Sequence, residues 1–299
     1  MILIIGATGT LGGRITRRLL QAGKDVRILT RHNSPSAEMA QIGMATSAQS
    51  LIDAGAQAVY GDLTDRASLD AACAGIDTVI TTATATKREG ADTIETVDLQ
   101  GTLSLIDAAQ AAGVGHFIYT SAYGSMLDHP VPLFHIKASC EARLEASGMA
   151  YTILQPDVFM EIWIGMVVGA PLQAGQPVTL VGQGDHKHSF VSEGDVAAFA
   201  AACVHNPAAQ NQRIPIGGPA AHNWTEVVQT VGQAVGRSLA VNYVAPGSTV
   251  PLLPPMVGGM LAGMEAHETH IDMSETAPRY RVRLTPLEAF AQAAFGAAA

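Results

Sequence analysis

Residues 2–14 read ILIIGATGTLGGR, an apolar four-residue run followed at once by Gly6, Gly9 and Gly12 at a spacing of three. The run is β-branched, and the residues after the glycines, 13–22, have helical composition. This is the strand, turn and helix order in which such glycines hold a dinucleotide. Each glycine has its own task. Gly6 permits the tight turn, Gly9 lets backbone N–H groups approach a pyrophosphate, and Gly12 allows the helix to pack closely on the strand. The helix N-terminus adds partial positive charge. Thr8, Thr10 and Leu11 complete the loop and are assigned with the glycines to a cofactor site.

The same alternation continues outward from this unit. Further strands are expected at 25–29, 58–60, 78–81 and 116–119, and helices at 47–54, 68–74 and 98–112. Gly23, Gly55, Gly75 and Gly113 fall where a left-handed residue closes each helix. Strands alternating with helices close into a parallel sheet covered on both faces. The fold class is therefore α/β, a doubly wound parallel-sheet Rossmann fold. Residues 32–46 make a connection longer than usual, an exposed loop or short helix. A helix at 138–147 closed by Gly148 and a strand at 151–154 end the regular pattern. The expected division is a dinucleotide-binding domain at 1–155 and a smaller lobe at 156–299, partly interleaved with the first. In the lobe, helices are expected at 194–204 and 224–235 and a strand at 240–244. A last helix is expected with Thr285 as N-cap and Pro286 in its first turn.

The end of the second strand reads Leu29-Thr30-Arg31-His32, where an NAD-preferring site would place an acidic residue for the ribose 2′-hydroxyl. Arg31 is suited to a 2′-phosphate, and Arg14 and Arg17 add charge if they face the same end. NADP(H) is thus the expected cofactor, with NAD(H) also open. A solvated loop arginine is the plainer alternative. Asp62 and Leu63, in GDLTD after the third strand, are assigned to the adenine edge, though Asp62 equally suits a helix cap. Thr82, Ala83 and Thr84 follow the fourth strand and are assigned to the ribose and nicotinamide side.

Composition narrows the classes. The chain has 299 residues, 48% hydrophobic and 14% charged, enough to bury a large core and too apolar for disorder. A formal net charge of −9 argues against a surface that steers onto nucleic acid or anionic lipid. Cys73, Cys140 and Cys203 are scattered and odd in number, which suits a reducing cytoplasm and neither a disulfide framework nor a zinc site. The N-terminal run reads as a strand, not a signal peptide. The apolar stretches at 158–172 and 250–264 carry Glu161 or prolines and are too short to span a membrane. A small-molecule substrate is expected, and a homo-oligomer is left open.

Beyond this, GATGTLGG, TRH after the second strand, GDLTD, TSAYGS after the fifth, and HIKASCEARLEASGMAYTILQPDVFME resemble the NmrA-like family of atypical short-chain dehydrogenases/reductases. The likeness extends over most of the chain, to SFVSEGDVAAF and WTEVVQTVGQAVGRSL. It implies an NAD(P)-binding Rossmann domain with a small substrate-capping region, and it assigns Pro156, closing YTILQP, to the cofactor site. Ordinary members of the superfamily use a Ser, a Tyr as proton donor, and a Lys four residues after the Tyr. Ser121 and Lys137 match the Ser and Lys positions, but Leu133 stands where the Tyr belongs.

Three readings follow. Lys137 holds the ribose and manages the proton while NADPH reduces an activated acceptor, such as a quinone-like, aromatic or conjugated carbonyl compound. Alternatively Tyr123 or His135 donates the proton, although a helical residue two from Lys137 faces another side. Or the protein binds NADP(H) without turnover, as a redox sensor; an isomerase or lyase is a further variant. The plainer alternatives are a surface Lys137 and a turn-forming Ser121. Tyr123, Phe159 and Trp163 are the candidate substrate contacts, the last two equally suited to core. His186, Lys187 and His188 form a polar loop. Glu265, His267, Glu268 and His270 lack the spacing of a helical zinc motif and are expected on a solvated polar helix face.

Overall fold

The computed structural model describes residues 1–32, 45–85 and 92–296. Most of the expected loop at 32–46 lies outside these residues. In chain order the elements of the first half are β1 (Ile2–Ile5), α1 (Thr10–Gln21), β2 (Val26–Thr30), α2 (Ala48–Asp53), β3 (Gln57–Tyr60), α3 (Arg66–Cys73), β4 (Thr78–Thr81), a π-helix at Ile94–Gly101 leading into α4 (Thr102–Ala111), β5 (His116–Thr120), α5 (Pro132–Glu145) and β6 (Ala150–Pro156). There follow β7 (Val158–Phe159), α6 (Met160–Ile164), α7 (Ala170–Gln173), β8 (Val178–Val181), β9 (Phe190–Val191), α8 (Glu193–Cys203), β10 (Gln212–Ile216), α9 (Trp224–Ala234), β11 (Val241–Val244), α10 (Pro255–Met264), α11 (Thr276–Arg279) and α12 (Leu287–Phe295). The chain divides into two compact units, Met1–Gln155 with Val196–Pro215, and Pro156–Asp195 with Ile216–Ala299.

The first unit is built on a seven-stranded sheet in the order β10-β6-β5-β4-β1-β2-β3. The pairs linking β3, β2, β1, β4, β5 and β6 are all parallel. The inner strands β1, β4 and β5 are buried at every position, and β1 is a continuous apolar run. One core contains Leu3, Ile5, Val79, Phe117 and Ile153 with Leu105 and Ile106 of α4. Strand order reverses between β1 and β4, the switch point at which open α/β sheets hold ligands outside the carboxyl ends of their strands. The register sets Ile5 beside Leu29 and Thr81. Gly6, Thr30 and Thr82 therefore leave the sheet along one edge. The five glycines expected to close helices, Gly23, Gly55, Gly75, Gly113 and Gly148, all have φ between 68° and 108°.

In the second unit β7 pairs with β9 and β8 with β11, both parallel. Its core includes Val158, Phe190, Trp224, Val228 and Leu287, with the Phe190 and Trp224 rings edge to face at 5.2 Å. Among the described residues no helix is long and apolar enough to cross a membrane.

Four elements differ from their sequence expectations. The helix expected at 98–112 begins at Ile94 as eight residues of π-helix, because Thr93 and Thr96 form a reciprocal capping box ahead of it. The helix expected at 138–147 begins at Pro132, since proline suits a first turn and apolar composition alone does not mark it. The last helix is entered through Pro286, not Thr285: Thr285 donates its hydroxyl to Asp195 Oδ1 and its amide to Asp195 Oδ2, both at 2.8 Å. The residues after α10 are irregular chain and not a polar helix face. Glu265 accepts from the amides of Gln183 at 2.7 Å and Gly184 at 3.3 Å, and Glu268 from that of Lys187 at 3.2 Å.

Candidate active site

At the end of β1 the backbone turns at Gly6 with φ 84°. A Cβ on Gly12 would overlap the Gly6 carbonyl and lie 2.9 Å from Thr82 Oγ1, and one on Gly9 would lie 3.2 Å from Gly6 O. Positions 6 and 12 therefore need glycine, for contact between β1, α1 and the β4 exit, and Gly9 is closely approached. Gly9 is the N-cap of α1, so the cap residue has no side chain to bond the first-turn amides, and the first turn holds no acidic residue. A helix start that lacks a side-chain cap and lies beside a close-packed glycine turn fits an anionic pyrophosphate. Thr8 O accepts from Thr46 N at 2.8 Å, Leu11 is buried, and Thr10 opens the helix.

The carboxyl ends of the neighbouring strands carry the other expected cofactor residues. Thr82 N donates to Ile5 O at 3.0 Å; Thr82 and Thr84 are half-buried and Ala83 is buried. Leu63 is buried and fills the space over Gly101. Asp62 does not cap α3; that is Asp65, which accepts from Ala67 N at 3.1 Å. Asp62 Oδ1 instead accepts from Thr64 N and Thr64 Oγ1. Arg31 is engaged by carboxylates, Nη1 with Asp92 Oδ2 at 2.9 Å and Nε near Asp62 Oδ2 at 3.8 Å. Arg14 and Arg17 are exposed, and Arg17 reaches Ser50 Oγ.

Lys137 is not a surface lysine. Its side chain is 9% exposed, its Nζ donates to Thr120 O at 3.2 Å, and Asp98 Oδ1 lies 3.9 Å away on a fully buried carboxylate. The Tyr119 ring lies beneath the ammonium, 5.1 Å from its centroid. A buried ammonium persists only with such a partner. Asp98 is held in turn by Ala85 N, which donates to its Oδ2 at 2.8 Å. The pair thus ties α5 to the π-helix and to the segment leaving β4. Among the described residues, Asp98 Oδ1, Thr120 Oγ1 and Ser121 Oγ are buried and make no hydrogen bond. Burial, reinforced by Cys140 and Asp98, holds the Tyr119 phenol well above its ordinary range.

Ser121 continues the chain beyond β5, with its amide on Leu154 O at 2.8 Å. Tyr123 and Leu133 are half-buried, and His135 is exposed with Nδ1 on Leu127 O. In the second unit Pro156 ends β6, Trp163 packs partly on the core, and Phe159 is part-exposed. Two acids escaped the sequence reading. Asp98 was legible only as a helix residue, and its signal is a carboxylate on an apolar helical face between Val97 and Leu105; Asp92 has no local signal.

With this geometry in view, the family model of the NmrA-like family matches residues 1–290, and the chain belongs to that family. An NAD(P)H azoreductase of Xenophilus azovorans is 31% identical over 245 residues, 82% of this chain and 77% of that protein. The photosystem II assembly factor Ycf39 of Trieres chinensis is 30% identical over 243 residues, 81% of this chain and 72% of its own. Among solved structures, the NADPH complex of an NADPH-dependent quinone oxidoreductase from Escherichia coli superimposes with a TM-score of 0.78 at 22% identity, covering 99% of this chain and 100% of that one. The NADP(H) complex of a Citrobacter sp. triphenylmethane reductase gives 0.76 at 20% identity, covering 98% and 99%. These likenesses establish the Rossmann-type fold.

Proposed function

We propose that the chain is an NAD(P)H-dependent reductase, preferring NADPH, that acts on a small aromatic, quinone-like or conjugated carbonyl compound. The bound nicotinamide supplies the hydride. Gly6, Thr8, Gly9, Thr10, Leu11 and Gly12 would hold the pyrophosphate, Arg31, Asp62 and Leu63 the adenosine end, and Thr82, Ala83, Thr84, Lys137 and Pro156 the ribose and nicotinamide side. The observation that carries the reading is the buried Lys137 beside Asp98, whose ammonium has three N–H donors and spends one on Thr120 O. Lys137 holds the ribose and supports the proton passed to the reduced substrate, with Ser121 as a second donor and Tyr123 at the substrate. Leu133 cannot donate a proton, so acceptors that need little acid assistance fit best. Substrate recognition is assigned to the second unit, with Phe159 and Trp163 as contacts. The three free, buried thiols suit a reducing cytoplasm.

A second reading, an NADP(H)-binding regulatory protein without turnover, is favoured by the relatives named as assembly factors. One experiment separates the two. Anaerobic NADPH oxidation is followed against quinones, azo compounds, enones and aromatic ketones, beside Lys137→Met, which keeps the bulk and removes the charge. Turnover that falls at least about a hundredfold in the variant supports the reductase. Tight nucleotide binding with no oxidation by any acceptor favours the regulatory protein, and no nucleotide binding overturns both.

A further inference from the structure

Arg31 does not wait for a ligand with its guanidinium free. Nη1 is bonded to Asp92 Oδ2 at 2.9 Å and Nε lies 3.8 Å from Asp62 Oδ2, so one cation is bracketed by two carboxylates. The arginine side chain is 40% exposed and that of Asp92 20%, so solvent only partly screens this pair. A guanidinium accepts a phosphate bidentately through its planar fork of N–H groups. Here a 2′-phosphate must share the guanidinium with Asp92 and lie close to two like charges. A 2′-hydroxyl meets no such cost, because it donates to a carboxylate that is already present.

We propose that Asp92 is a selectivity residue that competes with the cofactor's 2′-phosphate for Arg31 and so narrows the preference for NADPH over NADH. The inference rests on the cofactor reading given above. Arg31 supplies the attraction for the phosphate, Asp92 restrains it, and Asp62, whose Oδ1 is occupied by Thr64, contributes less. Nucleotide selectivity at this edge is then set by Arg31 together with Asp92 and Asp62 and is not a property of Arg31 alone.

The test is equilibrium binding of NADPH and NADH to the whole chain by calorimetry at fixed salt, for the wild type, Asp92→Asn, Asp92→Glu and Arg31→Ala. Asp92→Asn is expected to tighten NADPH about tenfold and to move NADH less than about threefold, the scale of one partly screened charge. Asp92→Glu restores most of the wild-type ratio, which a merely structural role for Asp92 would not produce. Raising the salt shrinks the gain in Asp92→Asn. Arg31→Ala weakens NADPH and leaves NADH nearly unchanged. An unchanged NADPH to NADH ratio in Asp92→Asn overturns the inference while nucleotide binding itself keeps the cofactor reading intact. Failure of the wild type to bind either nucleotide overturns both.

Discussion

Lys137 is buried with Asp98 beside it, and Asp98 is held in place because Ala85 N donates to its other oxygen. Removing one member of a buried pair leaves the other uncompensated, at a cost of about 3–5 kcal/mol where the pair is fully desolvated. Asp98→Asn keeps an oxygen for Ala85 N and removes only the charge. The buried ammonium then becomes costlier to keep. Under the reductase reading, Asp98→Asn is expected to lower kcat for NADPH oxidation about tenfold or more, while Asp98→Glu recovers part of the rate. A loss of stability in urea with an unchanged rate would mean that Asp98 serves folding alone.

Helix ends show how local chemistry is overruled by a distant partner. Thr285-Pro286 carries the signature of a capped helix start, yet the threonine is spent on Asp195, ninety residues away in sequence, and Pro286 begins α12 without a side-chain cap. Asp195 is buried, and its own amide donates to Ser192 Oγ at 3.1 Å. A double-mutant cycle on Asp195→Ala and Thr285→Val is expected to give a coupling of about 1 kcal/mol or more in urea denaturation. Additive losses would return Thr285 to the role of a simple cap.

Across the whole molecule, acid acts differently on the two units. In the first, burial, aided by His205, lowers the His116 pKa to about 4, and its Nε2 donates to Thr152 Oγ1, whose hydroxyl is used on Ala209 O. The folded state then binds fewer protons than the unfolded one between about pH 4 and 6.5, so stability is lost as pH falls through that window. In the second unit, burial lowers His188 to about 4 as well but raises Asp157 to about 6. The raised aspartate holds an extra proton in the folded state, so its contribution falls as pH rises through about 3.8–6 and opposes that of His188. Their hydrogen bonds agree with that assignment. His188 Nε2 is spent on Met264 O, its Nδ1 meets Thr269 Oγ1, and that single hydroxyl also meets Asp157, so a proton on Asp157 satisfies all three. On acidification from pH 6.5 to 4, exchange protection of the β5 amides is expected to drop by up to about 3 kcal/mol, and that of the β9 amides to change far less. His116→Gln should flatten the β5 response. If it does not, another group carries the acid sensitivity.

The sheet, its glycine turn and the left-handed helix closures were legible in the sequence because each rests on short-range physics. A β-branched run, a glycine spacing and a residue that must adopt positive φ declare themselves within a few neighbours. Ser121 and Lys137 were legible as positions, from motifs around them. Tertiary structure alone decided that Lys137 is buried on Asp98, that Arg31 is already paired with Asp92, that Thr285 serves Asp195, and that Glu265 and Glu268 clasp a loop some eighty residues earlier. Those facts depend on which polar groups the fold brings within reach of one another. A polar side chain records its own chemistry in the sequence, but its partner is chosen by the fold.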